Sequence, residues 1–211
     1  MPENALKAYP SPFSGDYWRE AAADFKKPRI LCFAALMIAA CVALSYLPSI
    51  RIDFTDLYTA KVTWGFLARC VCGMVCGPVT ALVFGFAEDT VSFFIKPGGA
   101  PYFPGYALTT MLGTLFYALF LYRAKPTLPR VLGAKLCTSA LNVTLGALWS
   151  AILSGKGYWF YAVKSFWKNL LMLPVQTAML FLLLSALYPI LCRMDLAAKS
   201  EKRKERELWE N

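Results

Sequence analysis

The strongest constraint on this chain is a series of long apolar segments separated by short polar ones. Apolar residues make up 58% of its 211 residues, and charged residues only 17%. A water-soluble domain of this length could not bury so much apolar side-chain surface. The charges are concentrated in the two ends and a few loops. The sequence therefore predicts an all-α integral membrane protein whose transmembrane helices are joined by ordered, outward-facing loops.

Six transmembrane helices are predicted, although the second apolar segment is short and contains Arg69. The six spans are, in chain order, Ile30–Leu47, Val62–Cys76, Pro78–Ile95, Gly105–Tyr122, Val131–Leu153 and Leu170–Cys192. About 20 residues cross the hydrocarbon core of a bilayer. With six spans and a cytoplasmic N-terminus, the inner segments carry more than twice as many Lys and Arg residues as the outer ones. Omitting the second span would break this positive-inside distribution.

These spans divide the chain into three parts and place both chain ends in the cytoplasm. Residues 1–28 are predicted to be a polar N-terminal tail that precedes the first apolar segment, and no secretory signal is expected in them. Residues 29–193 form the membrane domain, and residues 194–211 form a charged C-terminal tail. The expected location is a cell membrane, crossed several times.

Composition excludes several classes of function. The chain has no histidine, which excludes histidine-based zinc, haem or triad chemistry. Its seven cysteines lie in or beside apolar segments and are interpreted as free packing residues rather than metal ligands. No glycine-rich phosphate loop and no nucleophile–base pair is present, so the chain is not expected to be an enzyme or to carry a cofactor. The net charge of +9 is attributed to topology and anionic lipid, not to nucleic acid.

Three charged residues fall inside the second and third predicted spans, where an unpaired charge is costly. Arg69 lies in the second span, and Glu88 and Asp89 lie in the third. Counted from the Gly77–Pro78 turn at 1.5 Å per residue, Arg69 and the two carboxylates lie at similar depths. We therefore predict an intramembrane charge pair, which either stabilises the structure or contacts a ligand.

Polar and aromatic residues near the outer ends of the spans are candidates for a binding site. Residues 98–106, Gly-Gly-Ala-Pro-Tyr-Phe-Pro-Gly-Tyr, form a rigid aromatic loop. Asn142 and Trp149 are seven residues apart on one face of the fifth span. Lys164 and Lys168 precede the sixth span, where a helix N-terminus would favour an anion; alternatively, they are membrane-interface anchors.

A strip of small residues runs along the first span. Ala35 and Ala39 are four residues apart, and such a spacing lets another helix approach closely in lipid. The partner could be another helix of this chain or a separate subunit.

The order of these landmarks resembles the folate-specific substrate-binding subunit (S-component) of energy-coupling factor (ECF) vitamin transporters. The resemblance covers residues 30–189, about three quarters of the chain. Its motifs are Ala35-Leu36-Met37-Ile38-Ala39, Ser49-Ile50-Arg51, Gly73-Met74 with Gly77-Pro78, Asp89, Tyr102-Phe103-Pro104-Gly105, Leu119-Phe120-Leu121-Tyr122, Leu141-Asn142 with Trp149, and Lys168-Asn169 with Pro174. Ala68 replaces a proline that is usual in the family, and Ser165 replaces a frequent arginine.

The resemblance implies a membrane-embedded, high-affinity folate-binding subunit. Its first helix would dock Ala35 and Ala39 on a transmembrane coupling subunit that is served by two ATPases. The pterin would contact Tyr102, Phe103, Pro104, Gly105, Asn142, Trp149 and Asn169. The glutamate tail would contact Lys168, Lys164 or Arg51. The alternatives are an S-component for another vitamin and, in a different class, a membrane scaffold or enzyme.

Overall fold

The computed structural model describes residues 15–48, 50–55, 58–62, 64–96, 102–155 and 157–197. Six helices and two strands are present in these ranges. They are, in chain order, α1 (Gly15–Phe25), α2 (Pro28–Tyr46), β1 (Ile50–Thr55), β2 (Tyr58–Val62), α3 (Gly65–Ile95), α4 (Pro104–Leu121), α5 (Leu128–Ser154) and α6 (Tyr158–Arg193). Five of the helices, α2 to α6, are long and apolar enough to cross a membrane.

Helix α3 consists of two antiparallel halves, and each half counts as one transmembrane segment. The five long helices therefore provide six transmembrane segments. Gly77 has φ 77° and ψ 173°, a conformation that is open to glycine but strained for other residues. In a straight helix Arg69 and Glu88 would be about 28 Å apart along the axis, yet their side chains form an ion pair at 2.9 Å. The chain therefore reverses direction at Gly77.

The predicted fold class is confirmed. The predicted third span, Pro78–Ile95, matches the second half of α3, whereas the predicted second span, Val62–Cys76, starts too early, because Val62 belongs to β2 and the helix begins at Gly65.

The first half of α3, residues 65–76, runs antiparallel to α2. Near one end, the Cys41 thiol lies 3.7 Å from the carbonyl oxygen of Gly65. Near the other, the Cys76 thiol lies 3.9 Å from that of Ile30. This half is only about 18 Å long at 1.5 Å per residue.

Helix α3 forms the centre of the bundle. It packs against α2 and α4, after which α4 packs on α5 and α5 on α6. In the most apolar window of α3, 72% of the residues are buried, against 17–44% in the other four long helices. Five of the seven cysteines are buried in the apolar interior, and none forms a disulfide. The outer surfaces of α2, α5 and α6 carry exposed large apolar side chains, as expected for helices that face lipid.

The two ends of the bundle differ in structure. At the hairpin end, β1 and β2 form an antiparallel pair in which Ile50 is opposite Val62. The sequence predicted only an ordered loop at this position. Nearby, the Trp64 indole donates a hydrogen bond of 3.1 Å to the carbonyl oxygen of Pro48. The opposite end, here called the α1 end, contains Gly77, the α4–α5 connection and the last turn of α6.

Helix α1 packs on the bundle, although the sequence predicted only a polar tail before residue 29. Tyr17 and Asp24 are buried against the end of α4. Asp24 accepts hydrogen bonds from Tyr122 at 2.5 Å and Arg123 at 2.8 Å. Burial alone would raise the pKa of Asp24, but its bonds to Lys27, Tyr122 and Arg123 outweigh burial and hold that pKa below its ordinary value. Residues 1–14 and 198–211 of the predicted tails lie outside the described residues.

Candidate binding site

An aromatic group at the hairpin end joins the start of α4 to the last turns of α5. Phe103 is the N-terminal capping residue of α4 and has an extended backbone, and Pro104 occupies the first turn. The Phe103 and Trp149 rings are 5.5 Å apart at an interplanar angle of 60°. The Trp149 indole donates a hydrogen bond of 3.0 Å to the Thr109 hydroxyl. Edge-to-face packing and this bond hold both rings in place.

Gly105 lies directly beneath these two rings. A β-carbon at this position would lie 2.3 Å from Cε1 of Phe103 and 2.7 Å from Cδ2 of Trp149. Any larger residue would therefore displace the aromatic pair. The glycine of the Phe-Pro-Gly motif is thus explained by close packing of rings against the α4 backbone.

Tyr102 connects the same loop to the second half of α3. Its hydroxyl and that of Thr90 are 3.1 Å apart, within hydrogen-bonding distance. Its ring makes an edge contact with Phe93 at 5.2 Å. Residues 98–101 of the predicted aromatic loop lie outside the described residues. The backbone of Arg51 is paired opposite Lys61 in the hairpin, and the position of its side chain also lies outside the description.

The structure corrects the predicted start of the sixth transmembrane helix. Helix α6 begins at Tyr158 rather than Leu170, so Lys164 and Lys168 lie within the helix and not at its N-terminus. The predicted contribution of the helix dipole at Lys168 is therefore wrong, because that contribution is confined to the first turn. No Gly or Pro occurs between Gly157 and Pro174, and this absence of helix breakers was the available signal.

Two predicted site residues, Asn142 and Asn169, contact Ser165 where α5 and α6 pack together. The Ser165 hydroxyl donates to the carbonyl oxygen of Asn142 at 3.4 Å. The Asn169 amide donates to the Ser165 carbonyl oxygen at 2.8 Å. Lys168 is partly buried next to this group, whereas Lys164 is exposed, with its ammonium 5.3 Å from the centre of the Phe160 ring.

The intramembrane charges separate into two groups. Arg69 and Glu88 form two parallel hydrogen bonds of 2.9 and 3.1 Å, and Ser92 donates to the same carboxylate at 3.3 Å. Glu88 is almost completely buried, with 3% of its side chain exposed. Asp89 instead accepts a hydrogen bond of 3.1 Å from Thr110. Arg69 is thus the ion-pair partner of Glu88, while Asp89 connects α3 to α4.

Lys135 was not among the predicted site residues, although it lies within the predicted fifth span, Val131–Leu153. Lys135 lies in the third turn of α5 and is 5% exposed. Its ammonium lies 5.1 Å from the centre of the Phe66 ring, at the start of α3. A signal was available, because Lys135, Asn142 and Trp149 are spaced by seven residues and so share one face of α5.

The alanine strip of α2 faces away from the bundle. Ala35 and Ala39 are exposed, whereas Ala34 and Cys41 are buried against the other helices. The strip therefore does not pack against another helix among the residues that the structure describes. The sequence left open whether the strip contacts another helix of this chain or a separate subunit. Its outward orientation favours a separate subunit.

Comparison with known proteins agrees with the motifs. No family model matches the chain. The chain is similar to the folate transporter FolT of Clostridium novyi (strain NT), with 29% identity over 157 residues, which cover 74% of this chain and 88% of the relative. It is also similar to a crystal structure of FolT bound with folic acid, with a TM-score of 0.63 and 25% identity, covering 74% of this chain and 91% of the other.

The fold defines an all-α integral membrane protein built on six transmembrane segments. The resemblance to the folate-specific S-component of ECF transporters, inferred above from sequence motifs, is confirmed by both comparisons. The similar proteins are transporter components and not enzymes.

Proposed function

We propose that this chain is the membrane-embedded, high-affinity folate-binding subunit of an ECF-type vitamin uptake transporter. The observation that carries the proposal is its similarity to FolT bound with folic acid, over 91% of that protein's length. Separate coupling and ATPase subunits would energise transport, which agrees with the absence of a glycine-rich phosphate loop in this sequence.

The arrangement of aromatic and polar side chains suits a pterin. Phe103 and Trp149 offer ring surfaces next to the bare backbone at Gly105, and Tyr102 of the same loop lies against the second half of α3. Asn142 and Asn169 supply amide groups for the polar edge of a flat heterocycle. Such a mixture of apolar surface and a few polar groups is typical of small-molecule sites. Lys168, with Lys164 and Arg51 as further candidates, supplies cations for the glutamate carboxylates.

The outward-facing strip of α2 supports docking on a transmembrane coupling subunit. Ala35 and Ala39 present a flat, exposed surface on which a partner helix can approach closely. In this arrangement the coupling subunit binds the strip, and two ATPases act on the coupling subunit. Their movement then reaches the substrate-binding subunit through the strip. The excess of Lys and Arg in the segments at the α1 end favours a cell-membrane orientation with both termini in the cytoplasm.

The purified chain is expected to bind folic acid without ATP or partner subunits, because the proposed contacts all come from its own helices. Titration calorimetry in detergent tests this directly. Heat from riboflavin, thiamine or biotin, with none from folic acid, would instead identify an S-component for another vitamin. Binding of no vitamin by a folded chain would favour a membrane scaffold.

Lys168→Ala is expected to weaken folic acid binding by about tenfold or more. A hydrogen bond to a charged group contributes about 1.5–3 kcal/mol, which corresponds to about ten- to hundredfold in affinity. The loss of the helix-dipole contribution favours the lower part of this range. The measurement is calorimetric titration with folic acid and with 6-hydroxymethylpterin, which lacks the glutamate tail. Equal weakening of both ligands would contradict a contact between Lys168 and the tail.

A further inference from the structure

Lys135 is a buried cation without an acidic partner among the described residues. Only 5% of it is exposed, and the contact of its ammonium is with the Phe66 ring. The ion pairs formed within the described ranges use Glu20, Asp24 and Glu88, and none of them includes Lys135. An uncompensated charge costs several kcal/mol in such surroundings. A cation–π contact offsets only part of this cost.

Two other cations increase this cost rather than reduce it. The charges of Arg69 and Lys168 both act on Lys135 and repel it. Arg69 is paired with Glu88, and Asp89 is hydrogen-bonded to Thr110 on another helix. Lys135 is therefore a surplus positive charge that no ion pair among the described residues compensates.

The position of Lys135 connects this surplus to the proposed folate site. Lys135, Asn142 and Trp149 lie on one face of α5 at intervals of about 10 Å along the axis. On this face, Trp149 contacts Thr109 of α4, and Lys135 contacts Phe66 of α3. Asn142 lies between them, and its main-chain carbonyl oxygen accepts a hydrogen bond from the Ser165 hydroxyl of α6. The three residues thus lie along one face of α5, which runs from the aromatic pair toward the α1 end.

We infer, on the basis of the folate-binding function proposed above, that Lys135 is a ligand-binding residue. Its ammonium donates a hydrogen bond to an oxygen of the bound folate, either a carboxylate of the glutamate tail or the carbonyl group of the pterin ring. The ligand oxygen supplies the negative partner that the protein does not provide. The residue is then retained for affinity, at a cost to the stability of the ligand-free protein.

The test compares Lys135→Met and Lys135→Gln with the unmodified chain, using Lys125→Met as a matched control. Lys125 is exposed in the connection between α4 and α5 and lies outside the proposed site. Both changes at Lys135 are expected to weaken folic acid about ten- to hundredfold in calorimetric titration, and the control is expected to leave affinity unchanged. Titration with 6-hydroxymethylpterin distinguishes the two oxygens. Loss with folic acid alone identifies the tail carboxylate, and loss with both ligands identifies the ring carbonyl.

Thermal unfolding of the ligand-free proteins separates ligand binding from a structural role. Lys135→Met removes an uncompensated buried charge, so the ligand-free variant is expected to unfold at the same or a higher temperature than the unmodified chain. A lower unfolding temperature, or unchanged folic acid affinity in both variants, would overturn the inference while leaving the proposed function intact. Failure of the unmodified chain to bind folic acid would overturn the proposed function itself, and the inference with it.

Discussion

Replacing Ala35 and Ala39 together with Phe is expected to abolish folate uptake by the assembled transporter while leaving folate binding by the purified chain unchanged. Both alanines are exposed on α2 and face away from the bundle. Phenylalanine side chains there would hold a partner helix away from the flat surface, and close helix packing in lipid tolerates no such bulk. Uptake of labelled folate in cells and calorimetry on the purified variant measure the two effects separately.

A matched control is available on α6, where Ala178 and Ala186 are also exposed. Changing this pair to Phe adds the same bulk to an exposed surface of a different helix and is expected to preserve uptake. If the α2 variant loses folate binding as well, the strip contributes to the fold or the site rather than to docking. If the α2 variant still takes up folate, the strip is not part of the surface that binds the coupling subunit.

Arg69→Met is expected to destabilise the protein by about 3–5 kcal/mol, the usual cost of breaking a buried pair by removing one partner. The Glu88 carboxylate, 3% exposed, would lose both hydrogen bonds from the guanidinium and keep only the weaker one from Ser92. Because the pair ties the two halves of α3 together across the Gly77 turn, the damage should appear as a lower unfolding temperature in detergent.

The double variant Arg69→Met with Glu88→Gln distinguishes the two roles considered for this pair. Removing the second charge should recover most of the lost stability, since no uncompensated carboxylate remains. If the pair is purely structural, the recovered protein binds folic acid with unchanged affinity. If Arg69 contacts the ligand, stability returns but affinity does not. A double variant no more stable than the single one would contradict the role assigned to the ion pair.

The sequence prediction placed the start of α6 too late and did not predict α1, because hydropathy reports neither. Helix α6 continues through Lys164, Lys168 and Asn169 because nothing between Gly157 and Pro174 breaks it. Hydropathy cannot report this continuation, because a helix keeps its backbone hydrogen bonds whether its side chains are polar or apolar. For the same reason α1 was not visible, since its stability comes from the bonds of Asp24 to Tyr122 and Arg123, about 100 residues later in the chain.

The number and order of the membrane segments follow from the sequence alone, because the bilayer requires an apolar run of fixed length at each crossing and glycine permits the turn at Gly77. The Phe-Pro-Gly motif likewise indicated an aromatic site. Only the tertiary structure decided which carboxylate pairs with Arg69, that the α2 alanines face outward, and that Lys135 is buried beside Phe66. These contacts depend on how each helix is rotated and shifted against its neighbours. Local hydropathy does not encode that geometry, because packing and charge pairing between distant segments set it.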